Sequence, residues 1–487
     1  MKFYSTRGGE QVSAAQAIVQ GLCPNGGLYV PSVFPQIDIS ALSTDYLKTA
    51  ALVMGSYLDI PKDRLEPMIA SAYASFDTRE VTPVHALTDH ESILELWHGP
   101  TMAFKDVALQ MLPYLMRESV LMTGEDRQVY ILVATSGDTG KAALAGFQDV
   151  PGTRILVFYP HGGVSKAQRL QMVTQEGANV DVCAVRGNFD DAQTGVKAIF
   201  GSRDCREKLD SLGYRLSSAN SINFGRLLPQ ITYYFHSYAT LVSRGSIQCG
   251  DPVNFCVPTG NFGDILAGYY AMRMGLPVGR LICASNRNNV LTDFFQTGTY
   301  DDRRPFYKSM SCSIDILISS NLERYVYELC GRNEATVRER MSSLRENGSY
   351  SVSVDELASM GKTFSAGWCS EEDTLATIRR IYDREGYLMD PHTAVAQTVH
   401  ENYVAGTGDK THTVLLSTAN PYKFSTDVLS AFVKAGPDDF ENAARLHEMS
   451  GMPVPDGFSQ LLSKPERHLD VCDIADMPMR VIGPVSK

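Results

Sequence analysis

The residues with most chemical promise lie in a few short loops. The first is Trp97-His98-Gly99-Pro100-Thr101-Met102-Ala103-Phe104-Lys105-Asp106. An apolar run over 93–97 reads as a short buried strand, and Gly99-Pro100 breaks it. Lys105 then falls at the start of a helical pattern through Val107, Leu109, Met111, Leu112 and Leu115. A helix N-terminus carries partial positive charge and favours anions, so a lysine there is unusual. Held close to neutral in an apolar, positively biased pocket, it becomes an amine nucleophile able to form an imine. A surface lysine beside Asp106 explains the same spacing, and the pair alone does not decide.

Ala134-Thr135-Ser136-Gly137-Asp138-Thr139-Gly140-Lys141 joins a strand to a helix, with small residues that let backbone N–H groups converge on an anion. It is not a nucleotide P-loop, because Ala142 stands where that loop needs a magnesium-binding Ser or Thr, and the glycine spacing differs. A ligand carboxylate or phosphate fits it, as does a plain turn. Pro258-Thr259-Gly260-Asn261-Phe262-Gly263-Asp264 repeats the design, and open α/β sheets bind ligands at such strand ends. Asn220-Ser221-Ile222-Asn223-Phe224-Gly225-Arg226 opens a helix where Ser221, Asn223 and Arg226 can converge on a phosphate dianion. N-capping by Asn220 or Ser221 beside a surface arginine is the structural alternative. Ser417-Thr418-Ala419-Asn420-Pro421 ends a late strand with a hydroxyl that could face the same crevice or cap a turn. His98 and His392 have no triad partner in the sequence. One amine nucleophile, two oxyanion cradles, an arginine-centred phosphate site and no metal set are what a pyridoxal-phosphate enzyme needs.

The elements that must position these loops follow from length and pattern. The 487 residues suffice for about three domains. An apolar content of 44% and a charged content of 20% describe a folded chain. A net charge of −11 argues against general nucleic-acid binding. No stretch approaches a membrane span, and Met1 to Gly9 contain no apolar signal core, so no membrane partner is expected. Ten cysteines without a C-x-x-C pair indicate neither a zinc site nor a disulfide scaffold and point to the cytoplasm.

Residues 1–85 read as a mostly helical N-terminal domain. Strands then alternate with helices, which predicts parallel sheets covered by helices in an α/β fold. Residues 86–235 form an α/β domain with the candidate lysine and the Thr135–Thr139 loop. A second α/β domain with the Gly260–Asp264 loop covers 236–435, and 436–487 is a C-terminal wrap.

These motifs resemble the threonine synthase family, in the group typical of many bacteria and fungi. His98-Gly99-Pro100-Thr101 with Ala103-Phe104-Lys105-Asp106 is similar to its cofactor-lysine motif. Tyr4-Ser5-Thr6-Arg7-Gly8, Ser136 to Gly140, Asn220 to Asn223 with Arg226, Gly260 to Asp264 and Ser417-Thr418-Ala419 match further motifs in order, over roughly residues 1–435. The resemblance implies a tryptophan-synthase-β-like fold (pyridoxal-phosphate fold type II) of open, mainly parallel sheets, with an additional N-terminal domain. It implies pyridoxal 5'-phosphate bound by Lys105, with Gly260, Asn261, Phe262, Gly263 and Asp264 on its phosphate. Asp138 would meet the cofactor ring and Thr418 the pyridine nitrogen. Thr135, Ser136, Gly137 and Thr139 would take the substrate carboxylate, and Ser221, Asn223 and Arg226 the substrate phosphate; no metal is implied.

The implied reaction converts O-phospho-L-homoserine and water to L-threonine and phosphate by γ-elimination and β-addition, with Lys105 carrying protons. A threonine-synthase-like phospho-lyase that releases 2-oxobutanoate, phosphate and ammonia is the alternative. A monomer or homodimer is expected. Three positions depart from the family pattern: Trp97 stands where Phe is common, Asn420 where many members have His, and Pro229 lies one turn past Arg226, where a kink is expected.

Overall fold

The computed structural model describes residues 1–135 and 137–486. Two open sheets organise the chain. In the larger, the strand order is Phe364–Trp368, Val278–Ser285, Val253–Pro258, Thr413–Ser417, Glu91–Glu95 and Val84–Ala86. Pairing is parallel except for the antiparallel last strand. The smaller sheet runs Val471–Cys472, Val180–Val185, Thr153–Pro160, Gln128–Ala134 and Tyr214–Ser217, parallel throughout. Helices cover both, so central strands are buried on both faces and read as apolar runs, such as Tyr130 to Val133. No helix among the described residues is long and apolar enough to cross a membrane.

Strand pairing crosses the divisions read from sequence. Val84–Ala86 and Glu91–Glu95 complete the sheet built mainly from residues beyond 236, and Val471–Cys472 from the tail extends the smaller sheet. A parallel sheet selects neighbours by register and buried face, not by order along the chain. The N-terminal region holds the helices Ala14–Gln20, Tyr46–Gly55 and Lys62–Tyr73, together with a three-stranded antiparallel sheet centred on Lys2–Ser5. Strands of two to four residues are too short to show alternation, which is why that sheet and Tyr214–Ser217 escape a pattern reading.

The candidate loops meet because strand ends from both sheets point into one crevice. Gln128–Ala134 delivers Thr135, Val253–Pro258 delivers Gly260, and Thr413–Ser417 delivers Thr418. The helix Phe224–Ser243 runs unbroken through Pro229, buried over almost its whole length, and carries Arg226 near its start. The Lys105–Leu109 helix lies hard against Asp138–Phe147 at Gly146, where a Cβ would overlap the Leu109 carbonyl oxygen. That contact sets the separation between the elements carrying Lys105 and Asp138.

Gly146→Ala is therefore expected to destabilise the fold by about 1–3 kcal/mol through backbone overpacking. Gly201→Ala, with nothing within 4 Å of the added Cβ, should stay within about 1 kcal/mol of wild type. Denaturant unfolding of both variants checks the contrast.

Candidate active site

The turn before Lys105 is built around Asp106. The buried carboxylate accepts the Thr101 backbone N–H at 2.8 Å and the Thr101 hydroxyl at 2.8 Å, closing residues 101–106 into a fixed loop. Within it Met102 adopts a left-handed backbone (φ 60°), an unfavourable conformation for a residue with a side chain. The loop is stitched to the strand end of the larger sheet: Phe104 N–H donates to the Thr418 carbonyl at 2.8 Å, and Asn420 N–H to the Met102 carbonyl at 3.0 Å. Thr418 thus lies beside Lys105, and its hydroxyl makes no hydrogen bond among the described residues.

Two of the departures have local explanations here. Trp97 donates its indole N–H to the Ser417 hydroxyl at 3.0 Å, and the Asn420 side chain caps the Pro421–Phe424 turn through Tyr422 N–H at 3.0 Å.

Lys105 Nζ lies 3.3 Å from Ser313 Oγ and 3.9 Å from Asp138 Oδ2, with the Phe104 ring centroid at 4.8 Å. Burial holds the amine below the usual lysine range, the charges of Lys423 and Arg226 push the same way, and Asp138 opposes them. Asp138 opens its helix, where the dipole favours an anion. Burial alone would raise its carboxyl, but Lys423 and then Lys105, with the Ser313 hydroxyl, hold it well below the carboxylate range.

The Gly260–Asp264 turn has the form an anion cradle would need. The backbone N–H groups of Gly260, Asn261, Phe262 and Gly263 donate to no acceptor among the described residues, although all but Asn261 are buried. Buried orphan donors converging at the start of the Gly263–Arg273 helix fit a phosphate. Phe262 is left-handed there (φ 63°), and a Cβ at Gly260 would come within 2.9 Å of the Ser313 carbonyl oxygen. Burial lifts the Asp264 carboxyl to about 6, against backbone hydrogen bonds from Ile265 N–H, at 2.9 Å to Oδ1, and from its own N–H.

In the other loop, Thr135 Oγ1 accepts Gly137 N–H at 3.0 Å and Gly140 N–H at 2.9 Å, which shapes the turn. Gly137 has φ 141°, and a Cβ there would lie 2.7 Å from the Gln168 amide carbon. Thr139 is half-buried on the first helical turn, and Ser136 lies outside the described residues.

Arg226 is 4% exposed and has no carboxylate partner among the described residues. Its Nη1 donates to the Ala219 carbonyl at 2.6 Å, its buried Nε has no partner, and burial brings the guanidinium down to about 10. Asn223, expected beside it as a ligand, is engaged elsewhere: Oδ1 caps Gly225 N–H at 2.9 Å, and Nδ2 donates to the Ile18 carbonyl at 3.0 Å. Ser221 is half-buried, with no side-chain hydrogen bond among the described residues.

The structure adds residues that the motifs did not single out. Ser313 donates to Asp138 Oδ2 at 3.0 Å and accepts from Lys105. Its backbone N–H donates to His392 Nε2 at 3.0 Å, and His392 Nδ1 pairs with Asp390 at 2.7 Å. Lys423 contacts Asp138 Oδ1 at 3.2 Å. The available signal was a lysine between aromatic residues just after the Thr418 strand end; Ser313 sits in an irregular loop and had none. His98 clamps Asp77 at 2.6 Å and Glu95 at 2.9 Å.

An amine below its usual range, orphan N–H donors and a free hydroxyl fit a cofactor with an aldehyde, a phosphate and a ring nitrogen. Lys105, the Gly260–Asp264 turn and Thr418 are the groups that could hold it.

Three family models match the chain in sequence: Threonine synthase N terminus over residues 2–73, Pyridoxal-phosphate dependent enzyme over 82–418, and Threonine synthase, C-terminal over 393–478. Threonine synthase from Saccharomyces cerevisiae is 38% identical over 452 residues, 86% of this chain and 86% of that protein. Human Threonine synthase-like 1 is 40% identical over 442 residues, 87% of this chain, and the match spans only 58% of that longer relative. A crystal structure of pyridoxal-phosphate-bound threonine synthase from Brucella melitensis superposes with a TM-score of 0.89 at 35% identity, covering both chains in full.

The His98 clamp has a defined pH signature. Burial would lower the imidazole, but hydrogen bonds and charges from Asp77 and Glu95 outweigh it and raise it to about 9. A folded value above the unfolded 6.5 contributes stability that is full below pH 6.5 and lost as pH rises through 9. His98→Asn should cost ~1–2 kcal/mol at pH 6, discounted for the exposed Asp77, and distinctly less at pH 10. Denaturant unfolding at the two pH values tests this.

Proposed function

We propose that this chain, which belongs to the threonine synthase family of pyridoxal-phosphate-dependent enzymes, converts O-phospho-L-homoserine and water to L-threonine and phosphate. The observation that carries the reading is Arg226: a buried guanidinium without a carboxylate partner among the described residues, close enough to Lys105 for its charge to lower that amine. An uncompensated buried cation is costly, and a substrate phosphate dianion would offset it through charge-assisted hydrogen bonds. Neutral amino-acid substrates would leave it unpaired.

Each group then has a task. Pyridoxal phosphate, when bound, supplies an electron-withdrawing ring that makes the substrate's Cα and Cβ protons removable. Lys105 removes the Cα proton and then a Cβ proton, and an amine held below its usual range is more readily freed of its own proton for that task. The Thr135–Thr139 turn orients the substrate carboxylate. Arg226 holds the phosphate as it leaves Cγ, with Ser221 beside it, and Asn223 fixes that turn against the N-terminal helix. Water adds at Cβ last. The net charge of −11 and ten free cysteines support a cytoplasmic enzyme working on a free metabolite, not on nucleic acid.

Cofactor-loaded protein given O-phospho-L-homoserine should yield threonine and phosphate in equal amounts, and Lys105→Ala should yield neither. Phosphate with 2-oxobutanoate would replace this reading with the phospho-lyase, and no phosphate release would overturn both. Arg226→Met should raise KM for the phosphorylated substrate by about 30- to 100-fold, equivalent to about 2–3 kcal/mol for a charged hydrogen-bonding group. It should still show a visible cofactor band, so that the loss lies in substrate affinity and not in cofactor binding, which steady-state kinetics with a spectrum would establish.

A further inference from the structure

Lys423 is buried in the crevice, and the reaction outlined above gives it no task. Its side chain is 2% exposed. Nζ reaches two walls: the Thr101 carbonyl oxygen at 2.8 Å, in the turn leading to Lys105, and Asp138 Oδ1 at 3.2 Å, at the start of the helix after the smaller sheet's Gln128–Ala134 strand. Asp138 is therefore divided. Oδ1 faces Lys423, while Oδ2 accepts the Ser313 hydroxyl at 3.0 Å and stays 3.9 Å from Lys105 Nζ. Lys105, at 3.9 Å, is beyond hydrogen-bond reach of Oδ2, whereas Lys423, at 3.2 Å, is in ion-pair contact with Oδ1.

We propose that Lys423 is a positioning residue for Lys105: by holding Asp138 Oδ1 against the Thr101 turn, it keeps that carboxylate from closing onto the Lys105 amine and leaves the amine free to give up its proton. This rests on the reading of Lys105 as the reactive amine. The charged and titratable groups facing Lys105 are Asp138, Lys423, Arg226, Cys312 and Asp264, and those facing Lys423 are Asp138, Lys105, Asp106 and Lys141. Neutralising Lys423 leaves the others in place and acts on Lys105 twice in the same direction. It removes a neighbouring cation, and it releases Asp138 to pair with the amine. Both favour the ammonium, so Lys105 should lose its proton at a higher pH.

The test is trace acetylation of the full-length, cofactor-free protein from pH 6 to 11, reading the Lys105 peptide by mass spectrometry. Lys423→Met should move the Lys105 midpoint up by about one pH unit, making labelling about tenfold slower below both midpoints. Lys423→Arg should return it towards wild type, which a merely space-filling role would not require. An unchanged midpoint in folded Lys423→Met would overturn the proposal. If that variant does not fold, Lys423→Gln, which can still donate to the Thr101 carbonyl, carries the same expectation and the same refutation. Adding Asp138→Asn to the neutral variant should bring the midpoint back down, and failure to do so would also overturn it. The readout involves no substrate, so it can fail while the product assay succeeds, or the reverse.

Discussion

Three basic side chains, Lys105, Lys423 and Arg226, are gathered in a buried crevice around the ionised carboxylate of Asp138. Much of the architecture is there to tolerate that imbalance. Placing unpaired charge in a low-dielectric interior costs several kcal/mol unless well-aimed dipoles or counter-charges offset it. Here carbonyl oxygens of Thr101 and Ala219 take one donor each from Lys423 and Arg226, and Asp138 is fixed at a helix start where its own charge is favoured. The remaining positive potential is what a doubly anionic cofactor and substrate would meet.

No single element could hold this arrangement. Strand ends from two sheets bring in Thr135, Gly260 and Thr418, the 101–106 turn is tied to one of those ends by backbone hydrogen bonds, and the Ser313 loop bridges the gap between sheets. The N-terminal region is a buttress. Asn223 grips the helix Ala14–Gln20 through the Ile18 carbonyl, and fully buried Arg324 donates to the carbonyls of Tyr29 and Ile222. Glu323 alongside binds both Thr6 and Arg7. The turn that presents Arg226 is thus braced from the far side by residues near the start of the chain.

What sequence made legible and what it hid divide along a physical line. Lys105, the Gly260–Asp264 turn and the Thr135–Thr139 turn could be read because glycine positions, strand–turn–helix punctuation and chemistry fall on consecutive residues. Arg226 could be read as a cation at a helix start, but its isolation from carboxylates is a property of the folded core. Lys423, Ser313 and His392 act across separations of 322, 175 and 79 residues. Apart from the aromatic residues flanking Lys423 just after the Thr418 strand end, a single sequence holds no local sign of such contacts. Asn223 shows that a residue in a ligand-like motif can also hold two elements together, a task with no local sign in the sequence.

The smaller sheet ends at Val471–Cys472, where the Cys472 sulfur lies 3.5 Å from that of Cys183, 289 residues earlier. On a ribosome emitting the chain from its N-terminus, the Val180–Val185 strand emerges long before its neighbour exists. Its outer edge, and the side of the apolar cluster that Cys472, Met477 and Val481 complete, stay uncovered for most of synthesis, the condition under which parallel strands recruit wrong partners. Completion of this half of the molecule is a late event, and a chain interrupted before 471 would carry its crevice residues but leave a sticky border open.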